Sequence, residues 1–288
     1  MSTPRISIIL PHYNDLHGLA LCLDSIDRQT IDRAAYEIIV GDNASPCGRE
    51  AVEAVVAGRA RVITVEEKGA GPARNGAAAE ARGEVLAFID SDCVAQPGWL
   101  AAGSQMVTPG TFIGGHMFVL QPEGKLTGSA AVELALAFDN ESYVRNSQFT
   151  VTANLFVMRA DFERIGGFRT GVSEDIEWCN RAVRMGMKID YCGDASVGHP
   201  PRPDWSALLK KTRRIQRELF LLSLEQPRGR LRWVARSAMQ PVFIPSDFAR
   251  ILRTPGTQGA RGKALGALIA LRAWRGGAGL LQAIGVSI

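Results

Sequence analysis

Glu84-Val85-Leu86-Ala87-Phe88-Ile89-Asp90-Ser91-Asp92-Cys93 is the stretch from which the rest of the chain can be read. Val85 to Asp90 reads as a strand, a short apolar run set off by Gly83. A continuous apolar run of this length suits a strand covered on both faces, as in a parallel sheet. The run stops in two carboxylates, Asp90 and Asp92, with Ser91 between them. Ligands of open α/β sheets bind beyond the carboxyl ends of the strands. Two acids therefore arrive where a ligand would sit. Neighbouring carboxylates repel one another unless a cation lies between them, and hard divalent cations take oxygen ligands. One reading is a Mg²⁺ or Mn²⁺ site that also holds a phosphate. The other is a polar Asp-Ser-Asp turn after a buried strand, because both residue types are common in turns. These ten residues alone leave both open.

Upstream, the pattern alternates. Arg5 to Leu10 is a first strand, rich in β-branched residues, closed by the loop Pro11-His12-Tyr13-Asn14-Asp15. Leu16 to Arg28 has apolar residues three and four apart, which predicts a helix. Tyr36 to Val40 is a second strand running into Gly41-Asp42-Asn43-Ala44-Ser45, and residues 49–57 read as a helix. Arg61 to Val65 is a third strand, Gly69-Ala70-Gly71-Pro72 a loop, and Ala73 to Ala81 a helix. Four strands alternating with helices imply right-handed βαβ crossovers and a parallel sheet with its acidic loops on one rim.

After Trp99 the pattern is less regular. Strands are expected at Thr111 to Leu120, broken at Gly114-Gly115, at Val151 to Arg159 and at Lys188 to Cys192. Helices are expected at Leu126 to Phe138 and from Ser173, as N-cap, to Met185; the acids Glu174 and Asp175 suit a helix N-terminus. Pro200, Pro201 and Pro203 mark a boundary, beyond which Trp205 to Leu224 and residues 228–285 read as basic helical segments.

The 288 residues carry a formal net charge of +4, which hides an asymmetry. Residues 1–200 hold 17 Lys and Arg against 25 Asp and Glu, whereas residues 201–288 hold 16 against 4. A basic end on an acidic body calls for an anionic partner or surface. Five cysteines without a C-x-x-C pair argue for reduced thiols in a cytoplasmic protein and against a zinc site. The start lacks the signature of a signal peptide, and no apolar run of ~20 residues predicts an ordinary membrane span.

Taken in order, the pieces resemble the family 2 glycosyltransferases. They are Ser7-Ile8-Ile9-Leu10-Pro11-His12-Tyr13-Asn14, Glu37 to Ser45, Gly71-Pro72-Ala73-Arg74-Asn75, Phe88 to Asp92, and Ile165-Gly166-Gly167-Phe168 with Ser173 to Arg181. The match spans roughly residues 5–200, and it selects the metal reading of Asp90 and Asp92. It implies a GT-A fold: α/β, Rossmann-like, with a mainly parallel central sheet flanked by helices, here carrying a basic helical C-terminal extension. Residues 1–200 would form the catalytic domain, with 1–100 binding the nucleotide-sugar and 101–200 the acceptor, and residues 201–288 the extension.

The resemblance also implies roles. Pro11 and Tyr13 would line the base pocket, and Asp42 would accept the base N3–H, which suits a UDP- or dTDP-sugar. Arg74 would meet the ribose or diphosphate and Asp90 the ribose. Asp92 would hold a divalent metal, Mg²⁺ or Mn²⁺, with His199 as a further ligand or a diphosphate contact. Asp175 would be the catalytic base of an inverting transfer, and Glu174 would bind or support the acceptor. Arg181 reads as an ion-pair partner of Glu177, and Trp99 as a packing residue. The acceptor would be a saccharide or a lipid-linked sugar of envelope polysaccharide or glycolipid synthesis. Lys210, Lys211, Arg213, Arg214 and Arg217, and later Arg228, Arg230, Arg232 and Arg236 with Leu231, Trp233 and Val234, suit peripheral contact with the inner face of an anionic membrane. No nucleic-acid module stands in the tail.

Two other readings compete. A nucleotidyltransferase would want a Gly-rich, basic loop after the first strand, where Pro11-His12-Tyr13-Asn14 stands. A non-catalytic binding protein of the same fold would have no need of the intact set Asp42, Asp90, Asp92 and Asp175.

Overall fold

The computed structural model describes residues 4–122 and 124–288. In chain order the elements are β1 (Ile6–His12), α1 (Leu16–Asp27), β2 (Tyr36–Asp42), α2 (Arg49–Val56), β3 (Arg61–Thr64), α3 (Ala70–Ala79), β4 (Val85–Ile89) and β5 (Val94–Ala95). They continue with α4 (Trp99–Met106), β6 (Thr111–Val119), α5 (Gly128–Leu136), α6 (Asn140–Ser147), β7 (Asn154–Met158), α7 (Arg159–Ile165), α8 (Glu174–Arg184) and β8 (Lys188–His199). Four helices follow: α9 (Trp205–Leu224), α10 (Gly229–Ala238), α11 (Ile244–Arg253) and α12 (Arg261–Ala283). The chain divides into two compact units. Of the described residues, one holds those up to 118, 139–170 and 174–199, the other those of 119–138, 171–173 and 200–288.

The strands of the first unit form one sheet in the order β3-β2-β1-β4-β7-β6-β8-β5. β1, β2, β3 and β4 are parallel, as the alternation of strands and helices requires, and β4–β7, β6–β7 and β5–β8 are antiparallel. Every residue of β1 and of β4 is buried, which accounts for the uninterrupted apolar sequence of β4 and for the apolar run of β1, broken only by Ser7 before Pro11 and His12 close it. β1 runs two residues past the expected end. Pro11 pairs with Gly41 and His12 with Asp42, so the strand continues for as long as β2 offers partners.

Three other differences have local causes. Helix α3 begins at Ala70, so the Gly-Ala-Gly-Pro segment is its first turn, where proline is tolerated. Gly69, at φ 132°, turns the chain into that helix. β6 passes through Gly114 and Gly115 without a break: a Cβ there would lie 2.4 Å from Thr150 Oγ1 and 2.3 Å from Asn154 Nδ2. These glycines make room for neighbours. β8 runs twelve residues to His199, well beyond Cys192.

An aromatic core holds the rim in place. Phe88 of β4 packs against Phe162 (centroids 5.3 Å apart) and edge-on against Phe168 (5.4 Å), and Phe168 meets Trp178 at 5.7 Å. Helix α8 buries Trp178, Cys179 and Ala182 in this core, which fixes Glu174 and Asp175 at its start. Arg181 bonds Glu177 as expected and also donates to the carbonyls of Ile165, Gly166 and Gly167, holding the loop before α8. Trp99 is fully buried and its indole donates to Asn154 Oδ1 at 2.9 Å, a packing residue as read.

The second unit is helical, built by α5 and α9 to α12 around Ala131, Leu208, Ile251, Ala264, Leu268 and Leu271. Within it Lys211 pairs with Glu133 at 2.5 Å, and Arg272 pairs with Asp247.

Candidate active site

The parallel strands end on one rim, and there a cleft of about 520 Å³ opens. Pro11 and Tyr13 enter it from the end of β1, Arg74 from α3, and Asp90 and Asp92 from the end of β4. Tyr13 is 61% exposed, an aromatic face left open to solvent at the cleft. Five of the site residues read from the sequence thus share one wall.

Asp42 lies one layer deeper. It is 1% exposed, and its carboxylate accepts from Ser45 Oγ (2.5 Å), from Ser45 N (3.2 Å) and from His12 Nδ1 (2.8 Å). These bonds hold its acid below the usual carboxylate range against the opposing effect of burial. His12 Nε2 accepts from the Asp15 amide at 3.2 Å, so the ring carries its proton on Nδ1, facing Asp42. Nothing in the sequence around His12 marks it for this role. Its signal is the register His12↔Asp42, which strand pairing alone supplies.

Asn43 is another residue the sequence reading passed over. Its side chain donates to the carbonyls of Val65 (2.9 Å) and Glu67 (2.6 Å) and accepts from Gly69 N (2.8 Å). It thereby fixes the loop that brings Lys68 to the cleft. Asn75 does the same on the far side of α3, exchanging two 2.8 Å bonds with the backbone of Phe168.

Arg74 is the electrostatic centre. Its side chain is 4% exposed. Nη2 donates to Asp90 Oδ1 at 2.5 Å and Nη1 donates to Glu174, while Nε is buried without an acceptor. Burial alone would lower its pKa, but Asp90, Glu174 and Asp175 outweigh burial and raise it. Glu174 is thereby tied to the cleft wall by a cation.

Asp175 stands beside this bridge. Its Oδ1 accepts from the Thr152 amide at 3.0 Å. Burial, then the charge of Glu174, push its pKa up to about 6, with Arg74 and Thr152 pulling the other way. A carboxylate poised near neutrality is what proton abstraction at physiological pH requires.

Asp92 and His199 come together through strand pairing. β5 pairs Val94 with Gly198 and Ala95 with Val197. Asp92 precedes that pairing by two residues and His199 follows it by one. His199 Nε2 accordingly lies 3.6 Å from Asp92 Oδ2, and the ligand atoms of Asp92, Cys93 and His199 fall within 4.8 Å of one another. A carboxylate oxygen and an imidazole nitrogen at this spacing would hold a divalent cation between them. The Cys93 thiol is buried and donates to Asp92 Oδ1 at 3.7 Å. A protonated thiol is no ligand for a hard cation, so the donor set fits Mg²⁺ or Mn²⁺ through Asp92 and His199, with Cys93 orienting the carboxylate.

Residues 7–115 match the model of glycosyl transferase family 2. The chain is 30% identical over 224 residues to the glycosyltransferase AglE of Haloferax volcanii, covering 74% of this chain and 72% of that protein. Its fold is that of the mannosyltransferase PcManGT from Pyrobaculum calidifontis, a structure in complex with GDP-Man and Mn²⁺: TM-score 0.58, 22% identity, 99% of this chain and 78% of that one. Residues 1–349 of S. aureus TarS, solved with UDP, match with TM-score 0.53 and 16% identity over 94% of this chain and 90% of that one. The α/β architecture is therefore the GT-A fold, and the chain belongs to glycosyl transferase family 2.

Proposed function

We propose that this protein is an inverting, metal-dependent glycosyltransferase. It moves a sugar from a UDP- or dTDP-sugar to a hydroxyl of a saccharide or lipid-linked acceptor in envelope polysaccharide or glycolipid synthesis. The observation that carries the metal reading is the β5–β8 register, which sets His199 3.6 Å from Asp92 beside the cleft. Residues 1–200 do the chemistry and residues 201–288 form a basic extension, with α5 grouped by its packing with the extension.

In this reading Tyr13 stacks on the base and Pro11 closes its pocket. Asp42, held by Ser45 and His12, is the acceptor for a uracil or thymine N3–H. Arg74 and Asp90 meet the ribose and diphosphate, and Asp92 with His199 hold Mg²⁺ or Mn²⁺. When bound, that ion neutralises charge gathering on the departing nucleoside diphosphate. Asp175 takes the proton of the acceptor hydroxyl. The hydroxyl oxygen bonds to the anomeric carbon from the face opposite the nucleoside diphosphate, whose C–O bond breaks, and the configuration inverts. Glu174, fixed by Arg74, supports the acceptor beside that base. The extension meets an anionic membrane surface on the cytoplasmic side.

A donor panel tests the reading. Thermal denaturation with Mn²⁺ and UDP-, dTDP- or GDP-sugars is expected to show stabilisation by a uridine or thymidine donor. Saturation at a hundred times the dissociation constant is worth about 2.7 kcal/mol, or roughly 5–10 °C for a chain of this size. A shift with the GDP-sugar alone would overturn the assignment of the base, and no shift with any donor would overturn the transferase reading.

A further inference from the structure

Among the described residues, 13 of the 17 large apolar side chains that stand well exposed fall at or beyond Trp205. Six of the 13 lie on α9, on α10 and at the end of α12, helices that pack on one another. Trp233, in the middle of α10, ties three helices together: its ring meets Phe220 of α9 at 5.4 Å between centroids, and its indole donates to Gly279 O of α12 at 3.1 Å. A Cβ on Gly229 would lie 1.7 Å from Ser223 O, and one on Gly279 would lie 2.1 Å from Ser237 Oγ. The end of α9 therefore meets the start of α10 backbone to backbone, and the end of α12 approaches α10 with only the Ser237 side chain between them. These helices leave Leu221, Leu224, Leu231 (65% exposed), Leu280, Leu281 and Ile284 (75% exposed) uncovered. Arg228, Arg230 and Arg232 stand exposed beside them. No Asp or Glu occurs in residues 226–246 or 248–288.

We propose that this aliphatic, arginine-bordered face is the surface by which the helical unit enters the headgroup layer of an anionic bilayer. Exposed aliphatics gathered on helices that pack together mark a surface that is covered in use. Leucine and isoleucine side chains suit the boundary of the acyl chains, and arginines suit the phosphates above it. A second copy of the chain fits poorly, because a two-fold contact through this face would set arginines against arginines. No helix among the described residues is long and apolar enough to cross a membrane, so the attachment lies in the interface. Trp233, which the sequence pattern grouped with the membrane-facing residues, is 4% exposed and serves as the pin of the unit. Lys211 is committed to Glu133 inside it. The proposal deepens the membrane part of the proposed function and is independent of the catalytic assignments.

Co-sedimentation of the full chain with phosphatidylcholine vesicles, with and without phosphatidylglycerol, tests it. Binding to the anionic vesicles at low salt is expected, weakened by added salt. Arg228→Gln, Arg230→Gln and Arg232→Gln together are expected to lower that binding about a hundredfold, at about fivefold for each arginine. Leu231→Glu with Ile284→Glu is expected to lower it by about a hundredfold or more, through lost apolar transfer. Both variants alter exposed side chains and are expected to keep the wild-type melting temperature and the donor-induced shift, which reports the catalytic reading separately. Failure of the wild type to sediment with anionic vesicles would overturn the proposal, as would glutamate variants that bind like wild type. A wild-type dimer that Leu231→Glu converts to a monomer would show that a second copy covers this face.

Discussion

Asp175→Asn is expected to reduce glycosyl transfer by about 10²–10⁴, the range of a lost general base, while leaving donor binding intact. Asparagine keeps an oxygen to accept from the Thr152 amide, so the local geometry survives. It cannot take a proton. The same residue predicts a pH dependence. Burial, then Glu174, raise its pKa from 3.8 to about 6. The base is ionised above that value, so kcat/KM should fall tenfold per pH unit below about 6.

The stability effect has the opposite sign. A folded-state pKa above the unfolded one contributes stability that is complete below 3.8 and lost as pH rises through about 6. At pH 7 the ionised Asp175 therefore costs up to about 3 kcal/mol. Asp175→Asn should raise the melting temperature at pH 7, and the gain should shrink as pH falls toward 4. Urea denaturation at the two pH values and a transfer assay measure both effects. Retained transfer in this variant would remove Asp175 as the base.

Arg74→Met is expected to be the most damaging single change to stability in the site. The guanidinium is almost sealed and bonds both Asp90 and Glu174. Removing one partner of a buried ion pair costs about 3–5 kcal/mol, because the other charge stays behind. The Asp90 side chain is 30% exposed and that of Glu174 19%, so water recovers part of this and the lower end applies. A loss of about 3 kcal/mol would lower the melting temperature by roughly 6–12 °C. Arg74→Lys should not rescue it, since a single ammonium lacks the fork that reaches two carboxylates. Glu174→Gln added to Arg74→Met should restore part of the loss, which a double-mutant cycle reads directly. Without Arg74 the acid limb of any residual activity should move to higher pH, because Arg74 holds the Asp175 pKa down. An unchanged melting temperature for Arg74→Met would contradict the bridging role.

Much of this was written in the chain order. The apolar runs of β1, β2 and β4 announce buried parallel strands, and the acids at their ends announce a rim. The pair Glu174-Asp175 at a helix start and Asp90 with Asp92 after a strand stand out before any coordinates. What periodicity could not supply is pairing between distant segments. β5 has two residues, too few for any pattern, yet its register with β8 is what brings His199 to Asp92. His12 acquires a role only because β1 and β2 pair to their last residues. Gly114 and Gly115 read as a break because composition cannot show that Thr150 and Asn154 fill the space above them. Helices α6 and α7, absent from the sequence reading, are eight and seven residues long, too short to display a stripe. Arg74 was legible as a cation facing a ligand, but its bridge to Glu174, a hundred residues on, was not.

A cation held by Asp92 and His199, joining the protein to the donor's diphosphate, is the central element of the proposed mechanism. Calorimetric titration of UDP into wild type and Asp92→Ala, each with Mn²⁺ and with EDTA, addresses it most directly. The predicted result is a wild-type affinity at least about tenfold higher with Mn²⁺, and a variant whose weak affinity is the same under both conditions. An undiminished Mn²⁺ effect in Asp92→Ala would contradict it.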